Sequence, residues 1–293
     1  MTFSQPVTEL IKKRYSCRNY LKTPIDKSLL NRLTDKLSSY EPGPFGNRPR
    51  YKIIAATERD RKEIKKLGTY GFIKDAAGFI VGVIEDPENE LEDFGYLMER
   101  IILHATDIGL ATCWLGGTFT KNSFSKKIPL KTNELIPAVT AIGYPAGNPR
   151  MPEKVSRRPE PGDRRLPWRK LFFDGTFDTP LSSEDSGIFA LPLDMVRLGP
   201  SASNRQPWRI IKDGETYHFY LQRTPGYQER FLVKLVTVAD LQRIDMGIAM
   251  YHFEVTARGM GMTGEWKMRE PGIGKPDSFT EYVASWVNTG KPK

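Results

Sequence analysis

The sequence predicts an α+β protein in which mainly antiparallel sheets are flanked by helices and the folding unit occurs twice. Helical patterns come in pairs between few short apolar strands, which is typical of α+β folds and not of a doubly wound sheet. The 293 residues suffice for two ordinary domains, and 39% hydrophobic residues suffice for packed cores. Several sequence features also recur in the same order in the two halves.

The periodicity of apolar residues places these elements along the chain. In the first half it predicts helices at residues 7–15, 25–38 and 93–108, and strands at residues 51–56, 77–84 and 135–143. In the second half it predicts helices at residues 187–197 and 241–258, and strands at residues 208–212 and 216–222.

Two blocks of sequence recur at similar offsets. The pattern N-R-x-x-aromatic-basic-I-I begins at Asn47 and again at Asn204, an offset of 204 − 47 = 157. A second block recurs at 247 − 95 = 152, pairing Gly95, Met98, Ala105, Gly109 and Trp114 with Gly247, Met250, Ala257, Gly261 and Trp266. A Thr-Pro pair recurs at an offset of 156, at residues 23 and 179. We therefore predict a duplication, with one copy at residues 1–168, a shortened copy at residues 169–293, and an exposed linker over residues 147–165.

Composition narrows the classes of partner. The formal net charge of +9 suggests anionic partners, which include phosphorylated cofactors as well as nucleic acids. Since no zinc finger, RRM signature or bZIP heptad occurs, we expect no nucleic-acid binding. We expect no membrane segment, because the apolar runs are shorter than a membrane span. We expect a cytoplasmic protein, because the start lacks a secretory signal and only two cysteines occur. The three histidines lack metal-ligand spacing, so we expect no metal site.

Three segments carry groups suited to a bound ligand. Residues 14–18, R-Y-S-C-R, place two guanidiniums and a hydroxyl where they could bind a phosphate, although a solvated basic face has the same composition. Residues 199–208, G-P-S-A-S-N-R-Q-P-W, offer donors and acceptors that suit a heterocycle edge, or form a proline-bounded turn. Residues 112–117, T-C-W-L-G-G, allow close approach of a flat ligand through paired glycines, or form a helix C-cap.

Together these segments resemble the FMN-dependent nitroreductase family. Their order also fits that family, with A-I-G-Y-P at residues 141–145 and R-R-L-P-W at residues 164–168. The string P-S-A-S-N-R-Q-P-W is the most specific feature. The resemblance covers residues 7–168 as one nearly whole unit and residues 170–266 as a shortened one, and it is greatest to the tandem subgroup in which one chain carries both units, the "putative TM nitroreductase" type.

The resemblance implies an intramolecular pseudo-dimer with FMN between the copies. In this family each flavin takes its phosphate ligands from one subunit and the P-S-A-S-N segment from the other. The implied phosphate ligands are Arg14, Ser16, Arg18 and Arg165, with Tyr15 beside them. Leu115, Gly116 and Gly117 would line the ring near N5, and residues 68–70 would lie near the ring or ribityl chain. From the second copy, the residues that would reach in are Pro200, Ser201, Ala202, Asn204 and Gln206.

The implied activity is that of an FMN-dependent NAD(P)H oxidoreductase. NADH or NADPH would reduce flavin N5, and a nitroaromatic, quinone or similar small-molecule acceptor would reoxidise it, with no catalytic side-chain acid or base. The alternatives are a specialised flavin enzyme of the same fold, such as a dehalogenase-like, azoreductase-like or flavin-consuming enzyme, and a non-enzymatic flavin-binding protein. Because the family's dimer interface would be internal, we expect a monomer.

Departures from the family pattern fall on one of the two possible flavin sites. Counted from the Thr-Pro pairs, Arg14, Ser16 and Arg18 correspond to Lys170, Phe172 and Asp174, so a carboxylate would face the phosphate. The first copy also has Pro44 and Pro49 where the second has Ser201 and Gln206. Both losses affect the same site, which predicts one FMN per chain.

Overall fold

The computed structural model describes residues 3–55, 71–85, 90–117, 119, 121–147, 164–227 and 239–290. Its helices are α1 (Val7–Lys13), α2 (Lys27–Ser38), α3 (Leu91–Asp107), α4 (Lys121–Ser125), α5 (Ala190–Arg197) and α6 (Leu241–Gly259). Its strands are β1 (Arg50–Ala55), β2 (Gly78–Val83), β3 (Ala111–Leu115), β4 (Val139–Gly143), β5 (Phe172–Asp174), β6 (Trp208–Asp213), β7 (Thr216–Gln222), β8 (Thr263–Lys267) and β9 (Thr280–Gly290). The candidate ligands at residues 68–70 lie outside the described residues.

The strands form two sheets with the same underlying order. The first sheet runs β1-β2-β4-β3 and the second runs β5-β6-β7-β9-β8. Apart from β5, which pairs in parallel with β6, the described strand pairs are antiparallel. Without β5 the two orders correspond strand for strand, with β1, β2, β4 and β3 matching β6, β7, β9 and β8. The predicted α+β class with mainly antiparallel sheets is therefore confirmed.

The two long helices, α3 and α6, pack against each other. A Cβ added at Gly95 of α3 would overlap the carbonyl oxygen of Ile244 in α6. A Cβ added at Gly247 of α6 would overlap the carbonyl oxygen of Glu92 in α3. The contact is reciprocal, because 247 − 95 and 244 − 92 both equal 152. The glycines of the repeated block are thus explained by close approach of two backbones.

Each half has its own apolar core, and α6 contributes to both. The core of the second half includes Trp208, Phe253 and Trp286, all fully buried. The core of the first half includes Phe94 and Met98, and it also takes in Leu241, Ile244 and Ile248 of α6. Among the helices that the structure describes, none is long and apolar enough to cross a membrane.

Several element boundaries differ from the sequence-based predictions. Helix α1 ends at Lys13, because Arg14 is extended with ψ 129°. The predicted strand at residues 135–143 is regular only from Val139, since Pro137 interrupts it and Leu135 makes only an isolated bridge to Ile84. The predicted helix at residues 187–197 begins as a 3-10 turn. Strands β3, β5, β8 and β9 were not predicted.

The segment that follows the linker takes a different position from its predicted counterpart. Ser16 forms an isolated parallel bridge to Thr112 of β3. Its counterpart Phe172 lies in β5 and pairs with Ile210 of β6, at the opposite edge of the second sheet. The correspondence counted from the Thr-Pro pairs is therefore not matched by the strand pairing. The predicted counterpart of Ser16 cannot serve as a phosphate ligand, because Phe172 is fully buried in the core.

Candidate functional site

A buried polar network connects the first and second halves. Its centre is Glu99 of α3, whose side chain is fully buried. The Glu99 carboxylate accepts a hydrogen bond from Trp114 Nε1 at 2.8 Å and lies 3.0 Å from His252 Nε2 of α6. Arg14 Nε lies 3.8 Å from the same carboxylate. One acidic side chain thus contacts two of the predicted ligand segments, residues 14–18 and 112–117, together with the second half.

The hydrogen bonds of His252 determine where protons lie in this network. The ring is fully buried, and its Nδ1 lies 2.9 Å from the carbonyl oxygen of Met195. Since a carbonyl can only accept, Nδ1 must carry a proton. Two lone pairs would repel each other across the 3.0 Å contact with Glu99, so a second proton lies between Nε2 and the carboxylate. Burial alone would raise the pKa of Glu99, but the hydrogen bond and charge of His252, with the charge of Arg14, outweigh it and lower that pKa.

Arg14 is the buried member of the predicted phosphate cluster. Its side chain is only 6% exposed, and its Nε is buried without a hydrogen-bond partner. Ser16 and Arg18 are exposed. The segment is fixed against β3 because Cys17 N donates to the carbonyl oxygen of Thr112 at 2.9 Å. The half-buried Tyr15 packs against the apolar cluster beneath this segment.

At the end of the first predicted copy, Arg165 and its neighbours run alongside the predicted P-S-A-S-N segment of the second. Arg165 donates from Nη1 to Asn204 Oδ1 at 2.7 Å and from Nη2 to the carbonyl oxygen of Leu198 at 2.9 Å. Gln206 is 2% exposed; its Oε1 accepts from Leu166 N at 2.8 Å and its Nε2 donates to the carbonyl oxygen of Arg164 at 3.1 Å. The Gln206 amide is thus engaged by backbone groups, so in this geometry it shapes the segment.

The same segment holds an unusual backbone conformation. Ser203, Asn204 and Gln206 have φ values of 51°, 53° and 50°, and Asp75 is the one other non-glycine residue with positive φ in the described parts of the chain. Non-glycine residues in this region cost on the order of 1–3 kcal/mol each, and such residues cluster at ligand sites. Pro200 and Ser201 precede these residues, and Gln206 N donates to Ser201 Oγ at 2.9 Å.

Helix α6 brings the glycine segment and the P-S-A-S-N segment together. Gly116 lies against Leu241, since a Cβ on Gly116 would stand 2.6 Å from that side chain. One turn later, Asp245 accepts the N–H of Ala202 at 3.0 Å. Burial raises the pKa of Asp245 well above its usual range, although the Ala202 hydrogen bond opposes this. The chain therefore runs from the end of β3 towards α6, whose Asp245 binds the Ala202 N–H, through buried Leu115, half-buried Gly116 and exposed Gly117.

The structure thus brings the predicted residues together in two groups. Arg165 contacts the segment of Asn204 and Gln206 directly, whereas Arg14 reaches the second half through Glu99 and His252. His252 continues this connection to Met195 in α5, the helix that leads into residues 199–207. Sequence analysis missed Glu99, His252 and Asp245. Asp245 could have been found from the repeat, since Asp93 stands 152 positions before it.

The described residues contain no cluster of His, Cys, Asp and Glu that could hold a metal ion. They do offer positive charge, at Arg14, Arg18 and Arg165, on both sides of the contact between the halves. A site of this kind suits an anionic ligand whose remaining parts are flat or polar.

The chain resembles known proteins over most of its length. Residues 6–257 match the family model described as "Putative TM nitroreductase", whereas no curated protein matches the chain. A crystal structure of a "putative nitroreductase" from Thermotoga maritima is similar, with a TM-score of 0.60 and 18% identity, over 98% of this chain and 95% of that chain. At this identity the likeness shows the fold.

Two shorter proteins match about half of this chain. A nitroreductase family protein from Clostridium difficile 630 is 26% identical over 54% of this chain and 94% of its own, with a TM-score of 0.41. An FMN-dependent nitroreductase from Clostridium difficile R20291 is 19% identical over 50% of this chain and 91% of its own, with a TM-score of 0.40. Because the family model spans well over half of the sequence, the chain belongs to the "Putative TM nitroreductase" family.

Proposed function

We propose that this protein is an FMN-dependent NAD(P)H oxidoreductase of nitroreductase type, formed by two fused copies that share one flavin site. The observation that carries the proposal is the network of Arg14, Glu99 and His252, which joins the arginine cluster of one half to the P-S-A-S-N half. Family membership and the FMN-dependent relative support the choice of cofactor.

The residues present fit the phosphate of FMN. Arg14 presents a buried guanidinium whose Nε has no hydrogen-bond partner, and a buried donor without an acceptor is costly. A phosphate oxygen is an acceptor of the kind that a guanidinium prefers, and exposed Ser16 and Arg18 could complete its coordination. Arg165, which is held against Asn204, would add positive charge from the side of the P-S-A-S-N segment.

The remainder of the site would bind the ring system. When bound, FMN accepts a hydride from NADH or NADPH and passes electrons to a small oxidant such as a nitroaromatic or quinone. Gly116 allows the β3 end to approach Leu241 closely, which would leave a flat surface next to residues 115–117. The strained turn at residues 203–206 would present backbone groups to the ring edge. The Asn204 amide would hold this turn in place, because its Oδ1 accepts from Arg165 and its Nδ2 donates to the carbonyl oxygen of Arg164. Arginines near the flavin would favour its anionic reduced form.

We propose a single flavin because the second half lacks equivalents of the phosphate ligands. Lys170 is exposed in a 3-10 turn, Phe172 is buried in the core, and Asp174 is exposed at the end of β5. With both copies in one chain, we also propose a monomer, which light scattering at micromolar concentration tests; a dimer that binds flavin across chains would contradict it.

The absorbance spectrum of the freshly purified protein tests the cofactor. We expect a flavin spectrum and release of FMN, identified by mass. Release of FAD, or no flavin even after reconstitution, would overturn the proposal. Anaerobic addition of NADH or NADPH should then bleach the flavin, and an added quinone should restore its colour. A flavin that binds but is not bleached would indicate a non-enzymatic flavin-binding protein.

A further inference from the structure

We infer that Glu99 and His252 are positioning residues that hold Arg14 for the cofactor phosphate, so that phosphate binding depends on a contact between the two halves. This rests on the FMN site proposed above. Glu99 comes from α3 of the first half and His252 from α6 of the second, 252 − 99 = 153 positions apart. Both side chains are fully buried, so neither can contact a ligand at the surface directly, and each acts through the residues that it touches.

The distances indicate that Glu99 attracts Arg14 without using up its hydrogen-bond donors. At 3.8 Å the contact between Arg14 Nε and Glu99 Oε1 is an ion pair too long for a hydrogen bond. The Glu99 oxygens are already engaged, Oε2 by Trp114 at 2.8 Å and Oε1 by His252 at 3.0 Å. Arg14 is therefore held in place by charge, and no hydrogen bond to Glu99 occupies the donors of its guanidinium.

The charges of the network call for an anion. With a proton between His252 and Glu99, the three ionisable groups share one net positive charge, whichever of the two carries that proton. This charge is buried, since the Arg14 side chain is 6% exposed and the other two side chains are not exposed. A buried net charge is unfavourable unless an opposite charge approaches it. The phosphate of FMN would supply that charge on the Arg14 side.

His252 determines how strongly the Glu99 carboxylate attracts the Arg14 guanidinium. Without the histidine, Glu99 Oε1 would lose its partner and could draw Arg14 into a direct hydrogen bond, which would consume donors needed by the phosphate. Without the Glu99 charge, Arg14 would lose its anchor. Both changes should therefore weaken binding of the phosphate and leave the rest of the flavin unaffected.

Comparison of FMN with riboflavin isolates the phosphate contribution. Full-length protein stripped of flavin is titrated with each ligand, for the unmodified chain and for Glu99→Gln and His252→Phe. We expect each substitution to reduce the preference for FMN over riboflavin by about tenfold or more. The affinity for riboflavin should change by less than about threefold. A purely structural role would lower both affinities in parallel.

Glu254→Gln is the matched control. Glu254, on α6, is a buried carboxylate like Glu99, and it accepts a hydrogen bond from Trp266 Nε1 at 2.6 Å, as Glu99 accepts one from Trp114. We expect its preference for FMN to match that of the unmodified chain. If either test variant fails to fold, Trp114→Phe, which removes the hydrogen bond to Glu99 Oε2 and keeps an aromatic ring beside Phe94, should still lower the preference.

The outcomes separate this inference from the proposed function. An unmodified chain that binds FMN more tightly than riboflavin, with the same preference in all variants, would overturn the positioning role and leave the flavin site standing. Parallel losses of both affinities would also overturn it. An unmodified chain without any preference for FMN would overturn the proposed phosphate site itself.

Discussion

Asp245 and Asp93 hold corresponding turns in the two halves of the molecule. Asp245 accepts the N–H of Ala202 at 3.0 Å, and Asp93 accepts the N–H of Phe45 at 3.0 Å. The aspartates are 245 − 93 = 152 positions apart and the N–H groups 202 − 45 = 157 apart, the two offsets found in the sequence blocks. The same anchor thus supports both turns, but only the turn held by Asp245 has the P-S-A-S-N sequence.

Replacing Asp245 should weaken flavin binding, whereas replacing Asp93 should not. Asp245→Ala leaves the Ala202 N–H without its acceptor and loosens the turn that carries Asn204. We expect FMN to bind roughly tenfold more weakly, since an unsatisfied buried donor costs about 1–3 kcal/mol. Asp93→Ala removes the matching anchor at Phe45 and should leave FMN affinity unchanged per folded molecule. Calorimetric titration with FMN measures both, and equal losses would argue against a site on the Asp245 side.

Local pattern predicts the elements of this fold better than it predicts the contacts of the site. The spacing of apolar residues placed α2, α3, α6, β1 and β7 nearly correctly, because each buries one face or lies wholly in a core. Strand β8 escaped prediction, since T-G-E-W-K is half exposed and contains a glycine. The sequence also assigned residues 112–117 to a possible helix cap, whereas β3 fills residues 111–115 by pairing with β4.

The site network could not be read from the sequence because its partners are distant in the chain. Glu99 and His252 look like ordinary polar residues of long helices, and only the crossing of α3 and α6 brings them within 3.0 Å. The repeat predicted that α3 and α6 correspond, but not that they touch. For Gln206, the sequence predicted a ligand-facing amide, and the structure instead bonds that amide to Leu166 and Arg164.

The crossing of α3 and α6 should tolerate no side chain at Gly247. Gly247→Ala would drive a methyl group into the carbonyl oxygen of Glu92, which is backbone and cannot move aside. We expect a loss of about 1–3 kcal/mol in unfolding free energy from overpacking, although alanine is intrinsically better than glycine in a helix. Gly259→Ala at the end of the same helix is the control, because its Cβ would stand 3.7 Å from Val7 Cγ1. Urea unfolding should show that control to be neutral or stabilised, and equal stability of both variants would contradict the close packing.

The pH dependence of stability should reveal the buried carboxyl of Asp93. Burial raises the pKa of Asp93 from an ordinary value near 3.8 to about 6, against the hydrogen bonds from Phe45 and Asn47. A folded-state pKa above the unfolded value means that the contribution is fully present below about pH 4 and is lost as pH rises through about 6. Relative to Asp93→Asn, which cannot titrate, the unmodified chain should lose about 2–3 kcal/mol of unfolding free energy between pH 4 and pH 7. If the unmodified chain instead gains unfolding free energy relative to Asp93→Asn as pH rises, the two N–H donors stabilise the ionised carboxylate and the raised pKa is wrong.

The arginine cluster should act on FMN through its phosphate alone. Arg14→Ala removes the buried guanidinium, and loss of one charge-assisted contact should weaken FMN binding roughly tenfold or more. Arg18→Ala should have a smaller effect in the same direction, because Arg18 is exposed. Riboflavin affinity should change little in either variant. Unchanged FMN affinity in both variants would show that the phosphate binds elsewhere.

One FMN should bind per chain, shared between the halves. The proposed site combines Arg14 and its neighbours with Asn204, whose Oδ1 accepts from Arg165 at 2.7 Å, although Asn204 lies 204 − 14 = 190 positions from Arg14. The counterparts of Arg14 and its neighbours that the sequence predicts in the second half include buried Phe172 and exposed Asp174, which offer no cation to a phosphate. Titration of flavin-free protein should therefore saturate at one equivalent.

The two asparagines of the repeat test the same model by substitution. Asn204→Ala removes the acceptor for Arg165 and should reduce flavin binding and NAD(P)H-dependent turnover together. Asn47→Ala alters the corresponding turn beside Asp93, where the N–H of Asn47 donates to the carboxylate at 2.8 Å, and that bond persists because it is made by the backbone. FMN affinity should therefore stay the same in Asn47→Ala. Two equivalents of FMN per chain, or equal losses in both variants, would mean that the halves bind flavin equally and that the phosphate ligands of the second half lie outside residues 170–174.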